Sequence, residues 1–247
     1  MDYDIFSRYY DALTRDVDYA SRAEYLAGLF IKYDKMPSLL LDVGCGTGGF
    51  SVEFAKKGVE VIGADPSYGM LTAAGEKARK HGVNILFLNQ SGQELDLYGT
   101  VDGVISCLDT VNHITDKRSL QSFFNRISLF LEPSRLFIFD VNTLYKQKEV
   151  LGDNTFVFDT DEVYCVWQNS FDKKAGVTDI FLDFFEKNNN GYLRSCEEFS
   201  ERVYSREELE AMLNKAGFKL ITVLDDGKKT APSKTSQRNI YVARKGV

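Results

Sequence analysis

Hydrophobic positions along the first 145 residues follow two periods in turn. Up to about Lys35 the chain is aromatic-rich, and Tyr25, Leu26, Leu29 and Phe30 stand at helical spacing. Apolar runs with the length of buried strands then succeed one another: Leu39–Val43, Val59–Gly63, Val83–Asn89, Val101–Cys107 and Arg135–Val141. Helical patterns separate them. The clearest holds Leu120, Phe123, Phe124, Ile127, Phe130 and Leu131, and Pro133 closes it. Strands alternating with helices predict a parallel sheet covered on both faces.

Beyond Asn142 the pattern changes. Glu162–Phe171, Val177–Lys187 and Tyr192–Val203 are long and β-patterned, with Asp172–Gly176 and Asn188–Gly191 as connections. Short turns make such strands antiparallel neighbours, which predicts a three-stranded insertion. Alternating order then resumes. Ser205 and Glu208 form a capping box, Leu209, Met212 and Leu213 an apolar stripe, and Gly217 a helix stop. Phe218–Leu224 and Asn239–Ala243 read as the last two strands. The domain expectation is a core of residues 1–145 and 204–247, with residues 146–203 as the insertion.

Composition narrows the picture in three ways. With 44% hydrophobic and 27% charged residues in 247, the chain is an ordinary globular one with enough length for a sizeable core. Its 30 basic and 36 acidic residues leave a net charge of −6, which argues against a nucleic-acid partner. Lys228, Lys229, Lys234 and Arg238 are the nearest approach to a basic patch and read as a solvated loop. Four cysteines without C-x-x-C spacing suggest neither a disulfide framework nor a zinc site. Met1–Asp4 lacks the start of a signal peptide and no apolar run reaches membrane-spanning length, so a cytoplasmic protein without a membrane partner is expected. Oligomeric state is not legible.

The chemistry concentrates in Leu39–Phe50, where a buried strand breaks into Asp42-Val-Gly44-Cys-Gly46-Thr-Gly48-Gly49 and a helix follows. Such a turn lets a ligand approach the backbone closely and meet the N–H groups of the helix start. Gly44, Gly46 and Gly49 satisfy the dinucleotide fingerprint, with Asp65 at the distance of a ribose-binding acid. The same loop also reads Asp-x-Gly-x-Gly-x-Gly through Asp42, Gly44, Gly46 and Gly48. That version, together with Asp65-Pro66-Ser67 and Met70-Leu71, resembles the class I S-adenosylmethionine (SAM)-dependent methyltransferases. Phe6–Leu13, Asp109-x-x-Asn112 and Phe139–Asn142 are similar to a bacterial subgroup of small methyltransferases, and the resemblance covers nearly the whole chain. For a dehydrogenase, the only Tyr-x-x-x-Lys (Tyr241, Lys245) stands in the last strand.

The resemblance implies a Rossmann-like doubly wound seven-stranded sheet with its last strand antiparallel, the β insertion roofing the active site, and SAM as cofactor. It places Asp42, Gly44, Gly46 and Gly48 around the methionine part of SAM, and Asp65 on the ribose hydroxyls. The alternative for Asp65 is an N-cap of the next helix. Pro66 and Met70 would flank the adenine, though Met70 also suits a core position. Ser91 stands where relatives carry an adenine-binding acid, so Ser91 and Gly92 are either backbone contacts to the ring or an ordinary polar turn. Leu108 would lie beside the sulfonium. Tyr10 is a candidate lid residue or a core aromatic. Asp109 and His113 follow the fourth strand, where a base would stand if the acceptor must lose a proton; His113 also fits a structural role.

Asp109, Asp140 and Asn142 have the ligand types of the metal site in catechol-type O-methyltransferases. There the Asp-Asn pair is adjacent, whereas Val141 intervenes here, and no metal is expected. Tyr164, Trp167, Phe181 and Tyr192 either line an acceptor pocket or hold the insertion onto its host. The expected reaction is methyl transfer to a small-molecule acceptor. The alternatives are a tRNA or protein acceptor, or a SAM-binding regulatory protein without catalysis.

Overall fold

In the computed structural model, which describes residues 5–247, the chain enters through two helices, α1 (Phe6–Leu13) and α2 (Tyr19–Tyr33). The four residues read for a leader, Met1–Asp4, lie outside the described residues. Strands and helices then alternate: β1 (Leu39–Val43), α3 (Gly49–Lys56), β2 (Glu60–Asp65), α4 (Tyr68–Lys80), β3 (Leu86–Asn89), β4 (Gly103–Ser106), α5 (Thr110–His113), α6 (Lys117–Phe130) and β5 (Leu136–Asn142). Helix starts are set by side chains that satisfy free N–H groups. Asp18 accepts from Ser21 N, Ser67 from Met70 N and Asp116 from Ser119 N. Ser67, rather than Asp65, is thus the N-cap of α4.

A π-helical turn, Lys146–Leu151, leads out of β5 into β6 (Thr155–Asp159), β7 (Val163–Asp172), β8 (Val177–Asn188) and β9 (Gly191–Arg202). These form an antiparallel meander of four strands, one more than the sequence pattern predicts. The addition, β6, is short, lies on an edge, and has no fully buried position to mark it. On the inner face Val163, Cys165, Ile180, Leu182, Phe184 and Phe199 pack against Phe6 and Leu13 of α1 and Met70 of α4. Helix α7 (Arg206–Lys215), opened by the Ser205–Glu208 capping box, and strands β10 (Phe218–Asp225) and β11 (Arg238–Lys245) complete the chain.

The main sheet has the order β10-β11-β5-β4-β1-β2-β3. β11 runs antiparallel to both β10 and β5, and the remaining pairs are parallel. Strand alternation feeds two cores. Leu41, Val43, Phe137 and Phe139 face one side, and Leu40, Leu136 and Ile138 the other. The chain winds outward from β1 through β2 to β3, then from β4 to β5 in the opposite direction. The carboxyl ends of β1 and β4 therefore flank the switch point where ligands of such sheets bind. No helix among the described residues is long and apolar enough to cross a membrane.

Candidate active site

On one side of the switch point lies the glycine loop. Gly44 N and Cys45 N both donate to Ala64 O (2.7 and 3.1 Å), and Gly46 N donates to Asp65 Oδ2 (2.9 Å), which folds the loop onto the end of β2. Ser67 N donates to Asp65 Oδ1 (2.9 Å). A carboxylate offers about four acceptor positions, so both oxygens of Asp65 keep capacity for a ligand. Burial raises its pKa above the ordinary carboxylate range. Asp42, also buried, accepts from Ser51 Oγ (2.6 Å), and burial pushes its carboxyl up to about 7.

The glycines differ in what surrounds them. A Cβ on Gly44 would stand 2.4 Å from the Thr110 side chain, so that glycine is needed for packing. At Gly46 (φ +53°) nothing lies within 4 Å of that point, which leaves open space bordered by backbone.

The other expected residues are placed as follows. Pro66 is exposed, and its carbonyl accepts from Asn89 Nδ2 (2.8 Å). Met70 is buried beneath α1. Ser91 closes a turn with Glu94, through Oγ to Oε2 (3.3 Å) and Glu94 N to Ser91 O (3.0 Å). Gly92 is packed so tightly that a Cβ would meet the Phe123 ring at 2.4 Å.

Tyr10 sits on α1, which bridges the two sheets. Asp11 Oδ1 accepts from Thr47 Oγ1 (2.7 Å) in the loop and from Lys77 Nζ (2.9 Å). At the other end Ile5 N and Phe6 N donate to Glu197 Oε1 of β9 (2.7 and 3.0 Å).

Across the switch point, β4 ends in two consecutive left-handed residues, Leu108 (φ 56°) and Asp109 (φ 64°). Each such non-glycine residue costs roughly 1–3 kcal/mol and persists only where the surroundings hold it. Asp140 does so here: Leu108 N donates to its Oδ2 (2.7 Å) and Asp109 N to its Oδ1 (2.8 Å). Arg238, at the start of β11, then spans Asp140 Oδ1 (2.7 Å) and Asp109 Oδ2 (3.1 Å).

Asn142 Nδ2 donates to Asp109 Oδ2 (2.9 Å) and to Glu201 Oε2 (3.0 Å), and its Oδ1 accepts from Lys146 Nζ (3.0 Å). Gln147 also donates to Glu201. Glu201 Oε1 stands 3.9 Å from His113 Nε2, and the imidazole packs on the Phe199 ring (centroids 5.1 Å apart). Burial works to raise Asp109, but Arg238, Lys146 and His113 outweigh it and bring the carboxyl to about 2. Burial raises Glu201, with Asp109 adding to the effect, and lowers Lys146. This network floors a cavity of about 1030 Å³ walled by Phe6, Tyr10, Leu108, Trp167 and Phe199.

Residues 40–134 match the family model described as a methyltransferase domain. Over 248 aligned residues the chain is 32% identical to the protein named "Putative methyltransferase YqeM" of Bacillus subtilis (strain 168), covering 99% of this chain and 98% of that one. It is 30% identical to the solved S-adenosylmethionine-dependent methyltransferase from Clostridium acetobutylicum ATCC 824, with 99% of both chains covered and a TM-score of 0.88. The chain belongs to the class I SAM-dependent methyltransferases. A further solved structure, the CcbJ methyltransferase from Streptomyces caelestis, shares the fold at 20% identity, covering 93% of this chain and 90% of that one (TM-score 0.78).

The methyltransferase core thus brings Asp42, Gly44, Gly46, Gly48 and Asp65 to one edge of the switch point, and Leu108, Asp109 and His113 to the other. SAM is the cofactor, and the open space beside Gly46, next to the Asp65 carboxylate, fits a group that approaches backbone closely.

Several sequence readings change. Arg238 is not part of a solvated basic loop: it is buried and clamps two carboxylates. Asp140 accepts from Leu108 N, Asp109 N and Arg238, and Asn142 donates to Asp109 and Glu201. Of the four insertion aromatics only Trp167 lines this cavity. Tyr164, Phe181 and Tyr192 are exposed on the outer face. Glu201 and Lys146 were not anticipated. The signal for Glu201 was present, since it shares a strand face with Phe199 and so places an acid at a core-facing position.

Proposed function

We propose that this methyltransferase acts on a small-molecule acceptor, held between α1, the insertion (residues 146–203) and the carboxyl ends of β4 and β5. The observation that carries this reading is the cavity: about 1030 Å³, aromatic on one side and lined by Asp109, His113, Glu201 and Arg238 on the other. That is the size and the mixture of surfaces a small ligand occupies. The net charge of −6 does not suit a polyanionic acceptor.

SAM supplies a methyl group already activated by its sulfonium. The chain's task is to hold donor and acceptor in line and to exclude water. In this reading Gly46 lets the methionine part approach the loop, between Gly44 and Gly48 and above Asp42. Asp65 accepts from the ribose hydroxyls, and Pro66, Met70, Ser91 and Gly92 surround the adenine side. Leu108 borders the reacting centre, and Tyr10 on α1 covers it.

The test is transfer of label from methyl-labelled SAM into extract separated into small-molecule, RNA and protein fractions. Label in the small-molecule fraction is expected. Label confined to RNA or protein moves the acceptor class, and tight SAM binding without any transfer leaves a regulatory SAM-binding protein.

A further inference from the structure

We infer that two copies of this chain associate through the open edge of the insertion sheet, with β9 of one copy pairing antiparallel to β9 of the other. In the order β6-β7-β8-β9, β9 (Gly191–Arg202) lies at an end, and among the described residues no strand pairs with its outer side. Such an edge offers a row of backbone N–H and C=O groups to another strand, and proteins usually keep edges short or shielded. The inference is independent of the acceptor proposed above.

The ladder to β8 shows which groups are on offer. Val203 N donates to Gly176 O (2.9 Å) and Arg202 lies opposite Val177, so the odd-numbered residues of β9 bond inward to β8. The even-numbered ones, Tyr192, Arg194, Cys196, Glu198 and Ser200, turn their N–H and C=O groups outward. Arg202 O fits this direction: it accepts from Asn112 Nδ2 of α5 (2.8 Å), which closes that end of the edge. The open part therefore runs from Tyr192 to Ser200.

Charge selects one register. In a two-fold pairing about one residue, positions equally far before and after it stand opposite each other on the same face. Centred on Cys196, the pairing sets Arg194 of each copy against the partner's Glu198. Both side chains are exposed on the outer face, and opposite charges in such cross-strand pairs stabilise a sheet. Centring on Arg194, Glu197 or Glu198 sets like charges against each other. Centring on Ser195 leaves Arg194 opposite Cys196, without an acid.

The inner face agrees with that register. Glu197 Oε1 accepts from Ile5 N and Phe6 N at the start of α1, whereas its Oε2 is buried without a hydrogen-bond partner, and so is Ser195 Oγ. With Cys196 at the centre, each Ser195 stands opposite the partner's Glu197, a hydroxyl donor facing a carboxylate acceptor. A buried polar atom without a partner is costly, so the pairing relieves a cost that the single chain carries. Leu193, which is 58% exposed, comes opposite the partner's Phe199. Because β9 also carries Phe199 and Glu201 into the large cavity, the second copy braces one of its walls.

The experiment is sedimentation velocity of the full chain from about 1 to about 200 µM, where a monomer–dimer equilibrium is expected. Cys196→Pro removes an outward N–H and none from the β8 ladder, a place where an edge strand accepts proline. It should weaken the dimer at least about tenfold with an unchanged circular dichroism spectrum. Glu198→Arg sets two cations opposite each other and should weaken the dimer about tenfold, and adding Arg194→Glu should restore it. A monomer at every concentration overturns the inference and leaves the edge to a strand of another protein. A dimer that neither variant weakens also overturns it.

Cys196 provides a second readout, because it is exposed while Cys45, Cys107 and Cys165 are buried. The register brings the two Cys196 Cα atoms to about 5.5 Å. A short bis-maleimide should therefore join two chains through Cys196, and Glu198→Arg should slow that reaction at least about tenfold. Equal rates in the parent and in Glu198→Arg would mean chance collision and overturn the inference.

Discussion

At the end of β1 the ligand face is built by neighbours. Backbone N–H groups of Gly44, Cys45 and Gly46 fold onto Ala64 and Asp65, and the longest of these links joins residues 20 positions apart. At the end of β4 the floor of the cavity is built by strangers. Arg238 reaches Asp109 across 129 positions, and Glu201 and Asn142 come from two different sheets. The loop needs only backbone conformations that glycine supplies. The floor needs charges, and every charge taken out of water must meet a partner there. The first arrangement is cheap to hold and general in what it binds. The second is costly, and in the function proposed above it shapes the acceptor side.

The largest effect that would sharpen this contrast is expected at Gly46. Valine there meets both the positive φ and the open ligand space, and should weaken SAM binding by about 100-fold or more, roughly 2.7 kcal/mol. Calorimetric titration would read it, with an unchanged circular dichroism spectrum. Normal SAM affinity in Gly46→Val would mean the loop does not face the cofactor.

On the other side, Asp140→Ala leaves Arg238 buried with half its partners and releases the strained turn. A loss of about 3 kcal/mol in unfolding free energy is expected. Adding Leu108→Gly should recover about 1 kcal/mol, because glycine holds the left-handed conformation without a clamp. Absence of any rescue would show that Asp140 acts through charge alone.

A smaller change, about tenfold in the SAM dissociation constant, is expected for Asp65→Asn. The amide lacks the charge, and one of its terminal atoms no longer accepts.

Acidity divides the two regions further. Asp42 has its folded pKa raised from 3.8 to about 7, so its protonated form favours the fold. That contribution is complete below pH 3.8 and is lost as pH rises toward 7. Asp109, lowered to about 2, works in the opposite sense: its contribution is present above 3.8 and is lost as pH falls toward 2. Melting temperatures of the cofactor-free protein between pH 4 and 8 should fall with rising pH less steeply in Asp42→Asn than in the parent. Identical slopes would contradict the raised carboxyl. Ser91→Ala should change SAM affinity least, by under about threefold, since its hydroxyl is already engaged with Glu94.

How much of this could be read from the chain follows the same division. The loop was legible because its glycines, its acid and its strand lie within a few dozen residues, and a local pattern carries them. Strand order and the reversed β11 followed from the family resemblance, which rests on those same local motifs. Arg238 was misread because its neighbours in sequence are polar, whereas its neighbours in space, Asp109 in the turn after β4 and Asp140 in β5, are distant in the chain. Glu201 carried a signal in strand alternation, but its meaning depends on Asn142, Gln147 and His113, which only folding brings near. β6 escaped because it is only five residues long and lies on an edge, where none of its positions is fully buried.

The reversal of β11 has a consequence for how such an enzyme can change. A parallel strand reaches the ligand face with its last residue and must then continue into a helix. β11 begins there, so Arg238 stands at the head of its strand, with segment 226–237 before it as the connection from β10, tied to α2 by Arg22–Asp226 and Tyr25–Lys228 O and to Thr143 by Ser236 O and Gln237 O. Asp226, Lys228, Ser233 and Thr235 of that connection line the cavity. Insertions or replacements in it leave the register of both flanking strands alone, because the tip of a connection lies outside the ladder it joins. On the acceptor site proposed above, replacements in this segment would reshape one wall of the acceptor cavity while leaving the sheet, its clamp and the cofactor loop in place.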